Sequence, residues 1–70
     1  MGFSGFVHLT VAEVVEETDK AFLFRLRDRR SVWIPRGQVA DPENYTKGDT
    51  NCSVSITDWI ADQKNITGED

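Results

Sequence analysis

The sequence predicts a mainly β fold: a small, bent antiparallel β-barrel, SH3-like or OB-like, of four to five strands with a short C-terminal helix. Three observations predict it. Apolar residues alternate with polar ones in several runs, among them Val7, Leu9, Val11 and later Cys52, Val54, Ile56. The first run breaks phase at Ala12-Glu13, as a β-bulge does, and small barrels need strands bent in that way. A helix-start pattern then follows the last strand at Thr57-Asp58. A two-layer α+β sheet with that helix on one face is the alternative.

Residues 1–5 are glycine-rich and are expected to be flexible. The domain is expected over residues 6–66, with residues 67–70 as a flexible end. The first strand begins near Phe6, and Val14 resumes its apolar face after the bulge. Glu16-Glu17-Thr18-Asp19 forms a polar turn into Lys20.

The segment Lys20 to Arg36 reads as a hairpin around a basic turn. Phe22, Phe24 and Leu26 share one side of its first strand; Ala21, Leu23, Arg25 and Arg27 share the other. On its second strand Val32 and Ile34 oppose Ser31, Trp33 and Pro35. An even loop would mix charge into the core, so burial selects an odd one. A three-residue loop, Asp28-Arg29-Arg30, pairs Phe24 with Ile34 and Arg25 with Trp33. Such a loop wants a left-handed residue, usually Gly. None is present, so Arg29 or Arg30 must take that conformation at some cost.

Pro35 ends the second strand or confines it to an edge. Pro35 to Gln38 makes a turn that returns Val39 to the core. Asp41 to Asp49 is a polar loop anchored by Tyr45. The last strand runs from Thr50 to Ile56 with Cys52, Val54 and Ile56 inward. Thr57 or Asp58 caps a helix over roughly Trp59 to Asn65, and Gly68 terminates it. That helix is expected to cover Ala21 and Leu23, with Trp59 as a structural residue.

Glu17-Thr18-Asp19-Lys20-Ala21, then Trp33-Ile34-Pro35-Arg36 with Gln38, then Trp59-Ile60-Ala61, form a set of short motifs. In these the chain resembles a group of short uncharacterised bacterial and phage proteins, over roughly residues 9–66. Arg36 stands where that group has Lys. The resemblance implies a compact domain and no particular chemistry.

The chain has 70 residues, so it is one small domain. A chain of this size buries only about 60% of its unfolded surface and has a marginal core. One cysteine, Cys52, cannot form an internal disulfide, and one histidine, His8, cannot build a zinc site alone. No metal or cofactor is expected. The N-terminal stretch lacks a basic leader region, and no apolar run reaches the ~18 residues of a membrane span. The expected setting is cytoplasmic, with no membrane partner.

No catalytic residues are expected. His8 lies in mid-strand with no nucleophile at a suggestive spacing, and Cys52 alternates with core residues. The function signal is charge. Lys20 to Arg36 holds six basic residues against Asp28 alone, a net +5 in a chain of net −4. Arg25, Arg27 and Trp33 on one face, with Arg36 nearby, resemble the basic and aromatic platforms that hold single-stranded nucleic acid. The structural alternative lays Arg25 across Trp33 as a cation–π pair. The expected function is therefore a non-enzymatic binding module for single-stranded nucleic acid, through Arg25, Arg27, Trp33 and Arg36. The alternative is a protein-interaction or self-association module.

Overall fold

A computed structural model describes residues 5–66. Of the expected flexible ends, residues 1–5 and 67–70, all but Gly5 lie outside the described residues, Gly68 among them. Strands β1 (Phe6–Glu17), β2 (Ala21–Leu26), β3 (Ser31–Pro35) and β4 (Thr50–Thr57) form one antiparallel sheet of order β3-β2-β1-β4. A short helix, α1 (Asp58–Gln63), follows β4 directly. It packs against β4 and β1. The fold is mainly β, and the sheet is not closed into a barrel. Among the described residues no helix is long and apolar enough to cross a membrane.

Strand β1 is the spine, pairing with β4 along its first half and β2 along its second. Its register against β2 shifts twice, between Val11 and Glu13 and between Val14 and Glu16. The first shift is the bulge the sequence announces. The second, at Val15, leaves no phase break in an apolar pattern because Val15 is itself apolar. Two bulges in one strand bend it strongly. The sheet thus curls over the concave face that carries Val11, Val14, Phe22, Phe24, Ile34, Val54 and Ile56, all essentially inaccessible.

The rest of the chain seals that face. A 3-10 turn over Arg36–Gln38 brings Val39 into the core, where it bridges Ile56. Ala40 N–H donates to the Ser55 carbonyl at 2.9 Å. Tyr45 sets its ring edge-on to Phe22, centroids 6.3 Å apart, and donates its hydroxyl to the Ser53 carbonyl at 2.9 Å. Burial, with lesser effects from Asp41 and Cys52, pushes the Tyr45 phenol up. Cys52 is half-buried and unpaired with another sulfur, and burial and then Asp49 push its thiol up as well.

The hairpin register is displaced from expectation. Phe24 pairs with Val32, Leu23 with Trp33 and Arg25 with Ser31, in place of Phe24 with Ile34 and Arg25 with Trp33. The loop is still three residues long, but it is Arg27-Asp28-Arg29. Leu26 N–H donates to the Arg30 carbonyl at 2.7 Å, and Arg29 takes φ 76°. Asp28 decides the placement, since its Oδ1 accepts the Arg30 N–H at 3.0 Å. Asp28 is the middle residue of that turn, two positions before the N–H it accepts. A shift of two residues keeps every side chain on its expected face.

The helix departs more. Thr57 caps it, its hydroxyl accepting from Ile60 N–H at 3.3 Å. This phase turns Ile60 and Ala61 into the core and leaves Trp59 51% exposed, so Trp59 is not the structural residue expected. Asn65, at φ 56°, closes the helix, with Ile66 N–H reaching the Ala61 carbonyl at 2.8 Å and Asn65 N–H reaching Asp62. This is the left-handed closure that glycine usually supplies. Ile66 is buried by it. Lying on β4 and β1, the helix does not cover Ala21 and Leu23, which stay half-buried on the opposite sheet face.

Candidate functional site

Partners across a ladder share a face, so the convex face can be read from the register. From the β3 edge inward it carries Trp33 beside Leu23, Pro35 beside Ala21, and Ser31 beside Arg25. On β1, Glu13 stands beside Arg25 and Glu16 beside Leu23. Further along, His8 lies beside Ser55, with 2.6 Å between its Nδ1 and the Ser55 Oγ. That pair is on the convex face, and His8 is exposed.

The structure does not bring the four residues expected to bind a ligand into one group. Trp33 is 46% exposed on the edge strand. Arg25 shares its face but sits one pair away, and its Nη1 donates to Glu13 Oε1 at 3.0 Å. The expected stack of Arg25 on Trp33 is replaced by this ion pair. The bulge at Ala12 is the cause, because it sets Glu13 directly opposite Arg25. Arg27 has moved from the strand into the turn and is exposed there.

Arg36 is a structural residue. Its guanidinium carbon lies 4.5 Å from the Phe22 ring centroid. Its Nη2 donates to Glu17 Oε2 at 3.0 Å and to the Thr18 carbonyl at 2.9 Å. Glu17 also accepts the Thr46 hydroxyl and the Lys47 N–H on Oε1, at 3.1 and 3.3 Å. The Arg36 side chain first, then the Lys47 N–H and the Thr46 hydroxyl, hold the Glu17 carboxyl below its ordinary value. One carboxylate thus ties the end of β1 to the chain after β3 and to the loop before β4.

Arg30 is also engaged. Its Nε donates to Asp28 Oδ2 at 2.9 Å, and Nη1 and Nη2 donate to the carbonyls of Lys64 and Asn65 at 3.3 and 3.1 Å. The hairpin turn is thereby laced to the carbonyl end of α1, where a cation is favoured. The Arg30 N–H first, and then its side chain, hold Asp28 below its ordinary value. Between turn and helix end lies a cleft of about 220 Å³ lined by Leu9, Thr10, Leu26 and Ile66 with Arg27, Asp28 and Arg30.

The sequence signal of +5 is therefore weaker in space than in the chain. Arg25 and Arg36 meet Glu13 and Glu17 of β1, and Arg30 meets Asp28, which the sum already counts. Trp33, flanked by Leu23 and Pro35, is an exposed apolar patch next to the turn in which Arg27 and Arg29 are exposed. Among the described residues no group of three or more His, Cys, Asp or Glu could hold a metal ion. Comparison with protein-family models, with curated proteins and with solved structures finds no match.

Proposed function

We propose that the protein is a non-enzymatic binding module whose partner is a protein, met by the convex face of the β2–β3 hairpin. The observation that carries this is Trp33, 46% exposed on an edge strand with Leu23 at its side. Tryptophan and arginine are enriched where proteins touch, and an exposed tryptophan at a sheet edge makes an anchor. The commitment of Arg25 to Glu13 and of Arg36 to Glu17 speaks against a phosphate-binding role for those two residues. We read the curled sheet as an open relative of the SH3-like or OB-like barrels. The two bulges of β1 and the Val39–Ile56 bridge support that reading.

Selection of a displayed random peptide library on the wild-type protein tests the function. Binding of the enriched peptides should fall at least about tenfold on Trp33→Ala, an anchor-sized loss, and persist on Trp59→Ala. Equal binding to Trp33→Ala overturns the reading.

Single-stranded nucleic acid is the second reading, favoured by exposed Arg27 and Arg29 in the turn next to the Trp33 face. It predicts quenching of tryptophan fluorescence by oligo-dT with a steep loss of affinity as salt rises.

A further inference from the structure

We propose that residues 41–47 form a flap that swings off the Phe22 end of the concave face, latched by Tyr45 and by the carboxylate of Glu17. The flap lies apart from the convex surface and opens whether or not a partner meets that surface.

The segment is rooted at both ends. On one side Ala40 N–H donates to the Ser55 carbonyl at 2.9 Å, and buried Val39 bridges Ile56. On the other, Gly48 N–H donates to the Val14 carbonyl at 2.9 Å, and Val14 N–H donates to the Asp49 carbonyl at 2.8 Å. At each root the chain bends through the left-handed region, with Asp41 at φ 51° and Gly48 at φ 98°. Glycine takes that conformation freely. Asp41 does not, and it precedes Pro42, which pushes its neighbour towards extended backbone. Strain of this kind gathers at clamps and switches, where surrounding contacts hold it in place.

Between the roots no residue is buried, and only Pro42 and Tyr45 are half-buried. Segments with so few buried apolar contacts open before the core does. The first half of the flap keeps its own shape, by Asn44 N–H to the Asp41 carbonyl at 3.0 Å and Tyr45 N–H to the Pro42 carbonyl at 3.3 Å. Among the described residues, its bonds to the strands come from Tyr45, Thr46 and Lys47. Tyr45 sets its ring on Phe22 of β2 and its hydroxyl on the Ser53 carbonyl of β4. The Thr46 hydroxyl and the Lys47 N–H both end on Glu17 Oε1 of β1. Lys47 Nζ also lies 3.3 Å from Glu16 Oε1, but both side chains are exposed there. Exposed pairs contribute little. Two latches, adjacent in the chain, thus grip different strands. Their joint release frees the flap while the roots and the core stay in place. Opening uncovers the edge of the Phe22 ring and the Ser53 carbonyl, so the closed flap also blunts the outer edge of β4, as loops over sheet edges do.

The test is NMR relaxation dispersion, which reads microsecond-to-millisecond exchange amide by amide. Two variants each remove one bond: Tyr45→Phe loses the bond to Ser53, and Thr46→Val loses the bond to Glu17. Each should raise the open population about fivefold, the size of one hydrogen bond, and the two effects should multiply in the double variant. A flap that moves as a unit carries each effect to the other latch. Thr46→Val should therefore raise exchange at the Ser53 amide, and Tyr45→Phe at the Glu17 amide. Phe24 and Val54, in the core, should show none. Exchange that rises only at the latch each variant removes means two separate local motions and overturns the flap. Exchange at Phe24 and Val54 in step with residues 43–47 assigns the opening to global unfolding and overturns it as well. Flat profiles at residues 43–47 in the double variant overturn it outright.

Discussion

The guanidinium of Arg36 lies 4.5 Å from the centroid of the Phe22 ring, the largest class of side chain in the core. The stack joins the turn after β3 to the concave face of β2. A cation over an aromatic ring contributes about 0.5–2 kcal/mol, more when shielded from water. The Arg36 side chain is only 28% exposed, so the upper half of that range applies. Arg36→Ala should lower stability by about 1–2 kcal/mol in urea unfolding. Arg36→Lys should recover part of it, because an ammonium can sit over the ring but does not place a donor where Nη2 meets both Glu17 and the Thr18 carbonyl. An Arg36→Ala protein as stable as wild type would remove Arg36 from the structural role given to it.

Glu17 links folding to pH. Its folded carboxyl is held below the ordinary value, first by the Arg36 side chain, then by Lys47 N–H and the Thr46 hydroxyl. A depressed carboxylate binds fewer protons folded than unfolded. Its contribution to stability is therefore complete above the unfolded value of about 4.3 and is lost as pH falls through the folded value. Asp28, held down by the Arg30 N–H, acts in the same direction. Glu17→Gln should destabilise the protein at neutral pH and flatten the loss of stability on acidification. Urea midpoints from about pH 7 down to about pH 3 show this as two converging curves. Parallel curves would mean that Glu17 titrates alike in both states.

Arg29 occupies the left-handed region at φ 76° in the turn that closes the hairpin. A side chain there costs roughly 1 kcal/mol, which glycine avoids. Arg29→Gly should raise stability by up to about 1 kcal/mol. Arg29→Asn, which tolerates this conformation, should fall between the two. An Arg29→Ala control separates the backbone effect from the loss of charge, since it removes the charge and keeps the strain. Stabilisation of the alanine variant by as much as the glycine variant would assign the gain to charge.

The faces of the hairpin were legible because alternation fixes them whatever the loop, provided its length is odd. The register was not, since a loop at Arg27 to Arg29 and one at Asp28 to Arg30 bury the same side chains. The observed register is the one in which the Asp28 carboxylate accepts the Arg30 N–H and Arg30 reaches the helix-end carbonyls. The first bulge showed because Glu13 broke an apolar phase. The second hid behind Val15. The basic segment suggested a platform because its partners lie far along the chain or on the backbone. Arg25 meets Glu13 across the bulge, and Arg30 meets carbonyls 34 and 35 positions away. A count of charges within the segment could not register either contact. Alternation also put Trp33 on the outer face with Arg25, and on an edge strand such a residue has little to cover it, so it is 46% exposed.

The helix carries the last prediction. A tryptophan in so small a domain is expected in the core, yet Trp59 is 51% exposed and Ile60 beside it only 4%. The Thr57 cap sets this phase. Its hydroxyl accepts Ile60 N–H and donates to the Gln38 side chain, fixing the first turn to the 3-10 turn after β3. Asn65 then closes the second turn so that Ile66 points inward. If the cap governs the phase, Trp59→Ala should change stability by no more than about 0.5 kcal/mol, as at an ordinary surface position. Ile60→Ala should cost about 2–5 kcal/mol, the range for a buried aliphatic cut back to a methyl. Thr57→Val, which keeps the shape and loses the hydroxyl, should cost about 1 kcal/mol or somewhat more, because the cap and the bond to Gln38 go together. Thermal or urea unfolding of the three variants gives the order Ile60→Ala, Thr57→Val, Trp59→Ala from least to most stable. A Trp59→Ala protein as damaged as Ile60→Ala would put the tryptophan in the core and turn the helix by about one residue, some 100° around its axis.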